Sequence, residues 1–319
     1  MLNPDLKLNP KLFDEDVEQA STREGYGEGV VIAGEENENV VVLCADLTES
    51  TKSDAFAKKF PERFFEVGVA EQNLATIGAG LGVSKKIPFI SSYASFSPGR
   101  NWEQIRTTIA YNNSNVKIVG AHTGVSVGPD GATHQAIEDI ATMRAIPNID
   151  VCVPCDALEA KRATIDIAKI WGPVYLRLTR SKTPLITTKD TSLTPGKIDI
   201  FWGSKKPEVV IIGCGPIIYN ALLAAKELEE EDKIGSVVLN CRSVKPLDEK
   251  RIIELARKYK AVVTVEEHQV IGGMGSAVAE CLAKNCPTPM EFIGMQDIYG
   301  ESGSPEDLIE KYGMGVTDI

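Results

Sequence analysis

The sequence predicts an α/β protein of two domains, each a mostly parallel sheet covered by helices. Three observations carry this. Short β-branched runs alternate with helix-period segments, a stretch rich in Pro, Thr and Lys at 181–207 interrupts the alternation once, and the same alternation then resumes. With 319 residues the chain suffices for two domains of about 150 residues each.

In the first domain, taken as 1–185, strands are expected at 40–44, 63–67, 87–91, 116–120, 149–153 and 174–178. Runs such as Val40 to Cys44 are apolar without alternation, as in strands buried on both faces. Helices are expected between them at 17–33, 70–83, 102–111, 134–145 and 157–170. Pro184, Pro195, Gly196 and Pro207 mark residues 186–207 as a linker with one short strand. In the second domain, 208–319, strands are expected at 208–212, 234–239, 261–265 and 290–293, with helices at 216–230, 248–259 and 275–282.

Composition narrows the function classes. Hydrophobic residues make up 43% and charged residues 25%, the mix of a soluble globular protein. A net charge of -11 argues against a nucleic-acid or membrane-surface binder, since anionic partners need a basic face. No apolar run reaches the ~20 residues of a membrane span, and the polar start lacks a signal-peptide core. Seven cysteines, several in apolar stretches, read as reduced thiols of a cytoplasmic protein. Cys152 and Cys155 form one C-x-x-C with no second pair or histidines at zinc-ligand spacing, and read as a strand end before a turn at Pro154.

The glycine clusters exclude two nucleotide motifs. Gly213 and Gly215 follow a strand, but Ile218 stands where a dinucleotide fingerprint needs its third glycine. Gly78, Gly80 and Gly82 miss that spacing too, and read as points of close helix packing. Gly272, Gly273 and Gly275 read as a tight turn into a helix whose N-terminus offers an anion site.

Three segments hold the candidate chemistry. In GVAEQN (68–73) a glycine turns the chain and Glu71 opens a helix, as a cap or a catalytic carboxylate. Tyr93, Phe96 and Trp102 cluster after a strand, as core packing or a flat ring-binding wall. GAHTGVSVGPDGATHQ (120–135) places His122, Asp130 and His134 in one long loop after a strand. Ligands of α/β proteins bind at such carboxyl ends.

These segments, with Ser21-Thr22-Arg23, Asp46 to Ser50, Leu178-Thr179-Arg180, VKPLDEK (244–250) and VEEHQVIGGMGSAVAE (265–280), resemble transketolases in order and register from about Ser21 to Gly303. The resemblance covers that family's pyrimidine-binding and C-terminal domains only, and its G-D-G metal motif is absent. It implies a thiamine-diphosphate enzyme split into two chains, inactive without an N-terminal subunit that holds the diphosphate and Mg²⁺, in an α2β2 assembly. The implied reaction moves a two-carbon ketol unit from a xylulose 5-phosphate type donor to a ribose 5-phosphate type acceptor, in the pentose phosphate pathway.

It further implies that Glu71 exchanges a proton with the aminopyrimidine ring, that Phe96 and Trp102 line that ring, and that Asp46 lies beside the cofactor. Pro98 and Gly99 add a residue to the family pattern, and Trp102 stands for a smaller aromatic. His134 resembles the histidine that assists proton transfer, and Asp130 the aspartate that reads the donor's C2 hydroxyl. Arg23, Ser50, His122 and Arg180 match the phosphate-binding group. His268 reads as structural. The other readings are a deoxyxylulose-phosphate synthase, the β-component of a 2-oxoacid dehydrogenase, and a regulatory module of the same fold. Pro129 to Gln135 speaks against the dehydrogenase component. His122 and Arg180 favour transketolase over the synthase.

Overall fold

The computed structural model describes residues 1–194, 196–259 and 261–319; Pro195, one of the linker prolines, lies outside them. The first domain runs β1 (Gln19–Ala20), α1 (Thr22–Glu36), β2 (Val40–Cys44), α2 (Asp54–Lys59), β3 (Phe64–Glu66), α3 (Glu71–Val83) and β4 (Ile87–Tyr93). It continues with α4 (Trp102–Gln104, followed by a π-helix Ile105–Ala110), β5 (Lys117–Ala121), α5 (Asp139–Arg144), β6 (Asp150–Cys152), α6 (Ala157–Ile167), β7 (Val174–Arg177) and β8 (Thr183–Pro184). The second runs β9 (Asp199–Gly203), β10 (Pro207–Cys214), α7 (Ile218–Glu227), β11 (Gly235–Asn240), β12 (Ser243–Lys245) and α8 (Glu249–Tyr259). It ends with β13 (Val262–Gln269), α9 (Met274–Asn285), β14 (Met290–Met295) and α10 (Pro305–Lys311).

Two parallel sheets result, as the alternation predicts. The first has the order β12-β6-β7-β5-β4-β2-β3, all parallel except β12. The second has the order β14-β13-β10-β11-β9, all parallel except β9. All five residues of β2 and of β5 are buried, because helices cover both faces. In the first sheet the chain steps from β2 outward to β3, then back past β2 to β4, so the direction of winding reverses between β2 and β4. That reversal opens a crevice at the strands' carboxyl ends.

The domains share one apolar core. A continuous cluster runs from Leu43, Leu74 and Ile105 in the first to Ile212, Leu239 and Val278 in the second. Residues before β1 also belong to this packing: Leu8 and Leu12 are buried with Phe201 and Trp202, and Asn3 N–H donates to the Phe201 carbonyl at 2.9 Å. The short strand expected within 186–207 is β9, which joins the second sheet's edge. Strand β12 comes from the second domain but pairs antiparallel with β6 of the first.

Two expectations are corrected. The first helix starts at Thr22, not at 17, because Ser21 and Glu24 form a capping box: Ser21 N–H donates to Glu24 Oε2 at 2.8 Å while Ser21 Oγ accepts from Glu24 N–H. The helix expected over 134–145 is reduced to Asp139–Arg144. The Ala136 and Ile137 carbonyls accept instead from Gly124 N–H (2.7 Å) and Gln269 N–H (2.8 Å), which leaves them nothing for a helical turn. Gly272 and Gly273 turn the chain into α9, and Glu266 occupies that helix end: its carboxylate accepts from Met274 and Gly275 N–H at 2.7 and 2.8 Å.

Glycines set the closest approach of α1 to α6: a Cβ at Gly25 would lie 1.9 Å from the Ala157 carbonyl oxygen. All seven cysteines are unpaired, and burial pushes the Cys152 thiol up to about 12 and Cys155 well above its usual range, so neither supplies a thiolate. Among the described residues no helix is long and apolar enough to cross a membrane.

Candidate active site

The crevice gathers residues from four strand ends. Asp46 follows β2 at φ 59°, its N–H held 2.6 Å from Glu66 Oε1, and its side chain is exposed. Tyr93 closes β4. His122 follows β5 at φ 56°. Glu71 stands at the first turn of α3, after Gly68 has turned the chain at φ 70°.

The aromatic residues form a wall. The Tyr93 ring stacks on the His122 imidazole at 3.7 Å between centroids and on Phe96 at 6.0 Å. His134 meets Phe96 edge-on at 5.6 Å, and its Nδ1 lies 2.8 Å from Thr133 Oγ1. The structure thus brings His122, His134 and Phe96 together with Tyr93, one of the three aromatics that follow the strand. It does not bring Trp102 into this cluster: the indole Nε1–H donates to the Thr142 carbonyl at 3.3 Å.

Glu71 is 1% exposed. Its Oε2 accepts from Arg100 Nη1 at 2.7 Å, and the Arg100 guanidinium lies 4.7 Å over the Phe96 ring. Asn101 Nδ2 donates to the Glu71 carbonyl at 2.9 Å, which fixes the helix start against the aromatic segment. Arg100 lies in the segment that holds Phe96 and Trp102, and the sequence reading gave it no role.

Beside the wall lies a cationic pocket. Arg23 Nη1 donates to the Ser50 carbonyl at 2.8 Å, and Arg180 Nη1 to the Val127 carbonyl at 2.7 Å. Burial, then repulsion from Arg180, holds the Arg23 guanidinium below its ordinary pKa. His122 is driven down to about 3 by burial first, then by Arg23, Arg180 and His134, so its imidazole is neutral. Arg23 Nε and His122 Nδ1 are both buried without a hydrogen-bond partner. Buried polar atoms without partners are costly and mark a place for a polar ligand. Asp130 is exposed, flanked by Gly128 and Gly131 at φ 80° and 75°. Among the described residues no group of three or more His, Cys, Asp or Glu is placed to hold a metal ion.

The geometry defines an α/β protein with a crevice in which a buried carboxylate and an aromatic wall stand beside two guanidinium groups. The profile "Transketolase, pyrimidine binding domain" matches residues 18–185, and "Transketolase, C-terminal domain" matches 201–319. A Methanocaldococcus jannaschii protein whose name includes the words transketolase C-terminal section is 44% identical over 297 residues, covering 92% of each chain. The "6-deoxy-6-sulfo-D-fructose transketolase subunit SqwH" of a Clostridium species is 37% identical over 307 residues, covering 96% of this chain and 94% of that one. A solved structure described as a split gene transketolase, inactive beta4 tetramer, superposes with a TM-score of 0.86 at 47% identity, covering 93% of this chain and 95% of that one. The chain belongs to the transketolase family of thiamine-diphosphate enzymes and spans its pyrimidine-binding and C-terminal domains.

Proposed function

We propose that this chain is the C-terminal subunit of a split transketolase, active only with an N-terminal subunit that carries the diphosphate and Mg²⁺ sites. It would move a two-carbon ketol unit from a ketose phosphate to an aldose phosphate, in the cytoplasm and within the pentose phosphate pathway. The observation that carries the reading is the pairing of one buried carboxylate and an aromatic face with a pocket of two guanidiniums and a neutral imidazole. The unpartnered Arg23 Nε and His122 Nδ1 favour a ligand there.

The residues present fit the pyrimidine half of thiamine diphosphate. Phe96 and Tyr93 offer a flat apolar face, and Glu71 a carboxyl that holds or releases a proton at the edge of a ring stacked there. Asp46, at the lip of the crevice, is assigned to the same cofactor. Trp102, turned toward Thr142, is the weaker cofactor contact. When bound, the cofactor would supply the carbon that carries the two-carbon unit between sugars. Arg23 and Arg180, with His122 and Ser50, suit a phosphate dianion, since guanidinium forks match its oxygens. His134, beside Phe96, would exchange a proton with a donor hydroxyl, and Asp130 would read the donor's C2 hydroxyl.

The relative named for a sulfosugar supplies a second donor to consider, because a terminal sulfonate asks for the same cations. The test is two-carbon transfer with and without the complementary subunit, using xylulose 5-phosphate and 6-deoxy-6-sulfofructose as donors and ribose 5-phosphate as acceptor. Transfer that requires both chains is expected. Robust transfer by this chain alone, or none by the pair with either donor, overturns the reading.

A further inference from the structure

The two ends of the histidine loop are held by different domains. His122 continues directly from β5 of the first. From Gly124 onward the backbone leans on the second. Ser126 N–H donates to Glu267 Oε1 at 2.6 Å, and a Cβ at Gly124 would lie 2.1 Å from that same oxygen. Further along, Gln135 Nε2 donates to the Glu301 carbonyl at 2.9 Å. A Cβ at Gly128 would stand 3.2 Å from the Gly303 carbonyl oxygen, and one at Gly131 2.6 Å from Ser302 Oγ. The loop is thus pressed against β13 and the segment leading into α10.

Among the described residues of this seam, Glu267 reaches the loop backbone through its carboxylate. It is 4% exposed, at the end of β13, and its own carbonyl accepts from Arg177 Nη2 at 3.0 Å. Arg177 is in turn fixed by Asp139, at 2.8 Å from Nε to Oδ2. A buried carboxylate is costly unless it meets a donor, and the Ser126 amide is that donor. The peptide groups beyond it are gripped from the other side. Ser181 Oγ donates to the Ser126 carbonyl at 2.7 Å, and Arg180 Nη1 to the Val127 carbonyl at 2.7 Å. The carboxylate, the Ser126–Val127 backbone and the Arg180 guanidinium therefore form one connected line into the cationic pocket.

We propose that Glu267 is a positioning residue for sugar binding: by anchoring Ser126 it sets the loop that carries Asp130 and His134, and with it the Arg180 guanidinium. This rests on the transketolase reading of the site and gives the C-terminal domain a part in substrate recognition. Glu71 lies on α3 of the first domain, outside this line, so its proton exchange does not run through Glu267.

The test uses Glu267→Ala and Glu267→Gln in the complex with the N-terminal subunit, alongside hydrogen exchange of loop amides in the isolated chain. Glu267→Ala is expected to raise KM for the phosphorylated donor about tenfold or more. Exchange of the C2 proton of bound cofactor should stay within about twofold of wild type, because Glu71 is untouched. Glu267→Gln keeps an acceptor for the Ser126 amide and should recover most of the lost affinity. Amide exchange at 124–127 should rise in Glu267→Ala, less in Glu267→Gln. An unchanged donor KM in Glu267→Ala overturns the proposal, as does equal loss of C2 exchange and affinity, which marks a merely structural residue. If wild-type complex transfers no two-carbon unit, the functional reading fails, while the amide exchange still reports whether Glu267 holds the loop.

Discussion

Arg100 covers both groups that a pyrimidine ring would use: its Nη1 is 2.7 Å from Glu71 Oε2, and its guanidinium lies 4.7 Å over Phe96. A ring cannot stack on Phe96 and reach Glu71 unless Arg100 moves. The arginine is 49% exposed and Glu71 only 1%, so the pair is half-buried, and a ring that bonds to Glu71 replaces the donor that Arg100 supplies. Arg100→Ala is therefore expected to tighten thiamine-diphosphate binding to the two-chain complex by up to about fivefold, read by calorimetric titration. Weaker binding in the variant would show instead that Arg100 supports the bound ring.

Glu71→Gln is expected to leave assembly intact and to slow C2 exchange of bound cofactor by orders of magnitude. The amide keeps the shape and a hydrogen bond but cannot pass a proton. Removing a carboxylate from the first turn of α3 costs about 1 kcal/mol or less in helix energetics. Exchange as fast as wild type would reduce Glu71 to a helix cap.

Arg180→Ala should raise KM for phosphorylated donors far more than for unphosphorylated ones. A charge-assisted contact is worth about 1.5–3 kcal/mol, or roughly tenfold to a hundredfold. Steady-state kinetics with paired substrates check this, and equal effects on both would remove Arg180 from the anion pocket.

His268 gives the fold an acid limit. Its Nδ1–H donates to the Gln269 carbonyl at 2.7 Å and its Nε2 accepts from Ala141 N–H at 3.3 Å, which requires the neutral ring. Burial first, then Arg177 against the opposing pull of Asp139, lowers its pKa to about 4 from an ordinary 6.5. The folded pKa lies below the unfolded one, so this stability is present above 6.5 and is lost as pH falls toward 4. The amount is about 3 kcal/mol. Thermal melts of wild type and His268→Gln across pH 4–7 should converge toward the acid end, with the wild type more stable at pH 7. His122, lowered for a similar reason, leaves a residual slope in both.

Gly25→Ala should destabilise the first domain by about 2–3 kcal/mol. The added methyl meets backbone, not a side chain that turns aside, because the Ala157 carbonyl oxygen would be 1.9 Å away. A melting temperature unchanged within error would mean that α1 and α6 separate freely.

The sheets were legible in the sequence because continuous apolar runs such as Val40 to Cys44 have one structural meaning in a parallel sheet. The site was legible in pieces. His122 and His134 shared a loop in the sequence and share a wall with Phe96 in the fold. Arg100 was not legible as a partner of Glu71, since their meeting depends on how the segment after β4 turns back over α3. Trp102 was not legible either: its neighbours in sequence suggested the wall, while the indole of the helical turn that begins there donates to Thr142. The helix expected from His134 failed because the Ala136 carbonyl serves Gly124 across the loop and the Ile137 carbonyl serves Gln269 of the other domain. No periodicity within one segment carries that information.

Strand β12 changes what a fragment of this chain can be. It covers the β6 margin of the first sheet, which would otherwise present an unpaired row of amides and carbonyls. A truncation at 185 removes this cover and also strips the apolar side chains of Leu8 and Leu12 of their packing. The fragment then exposes a ready template for edge-to-edge aggregation together with a greasy N-terminal arm. Cleavage of the 186–207 segment in the intact molecule has no such effect, because both pieces remain clasped through β12 and the first thirteen residues. The two domains are therefore expected to hold together after such a nick and to fail when made apart.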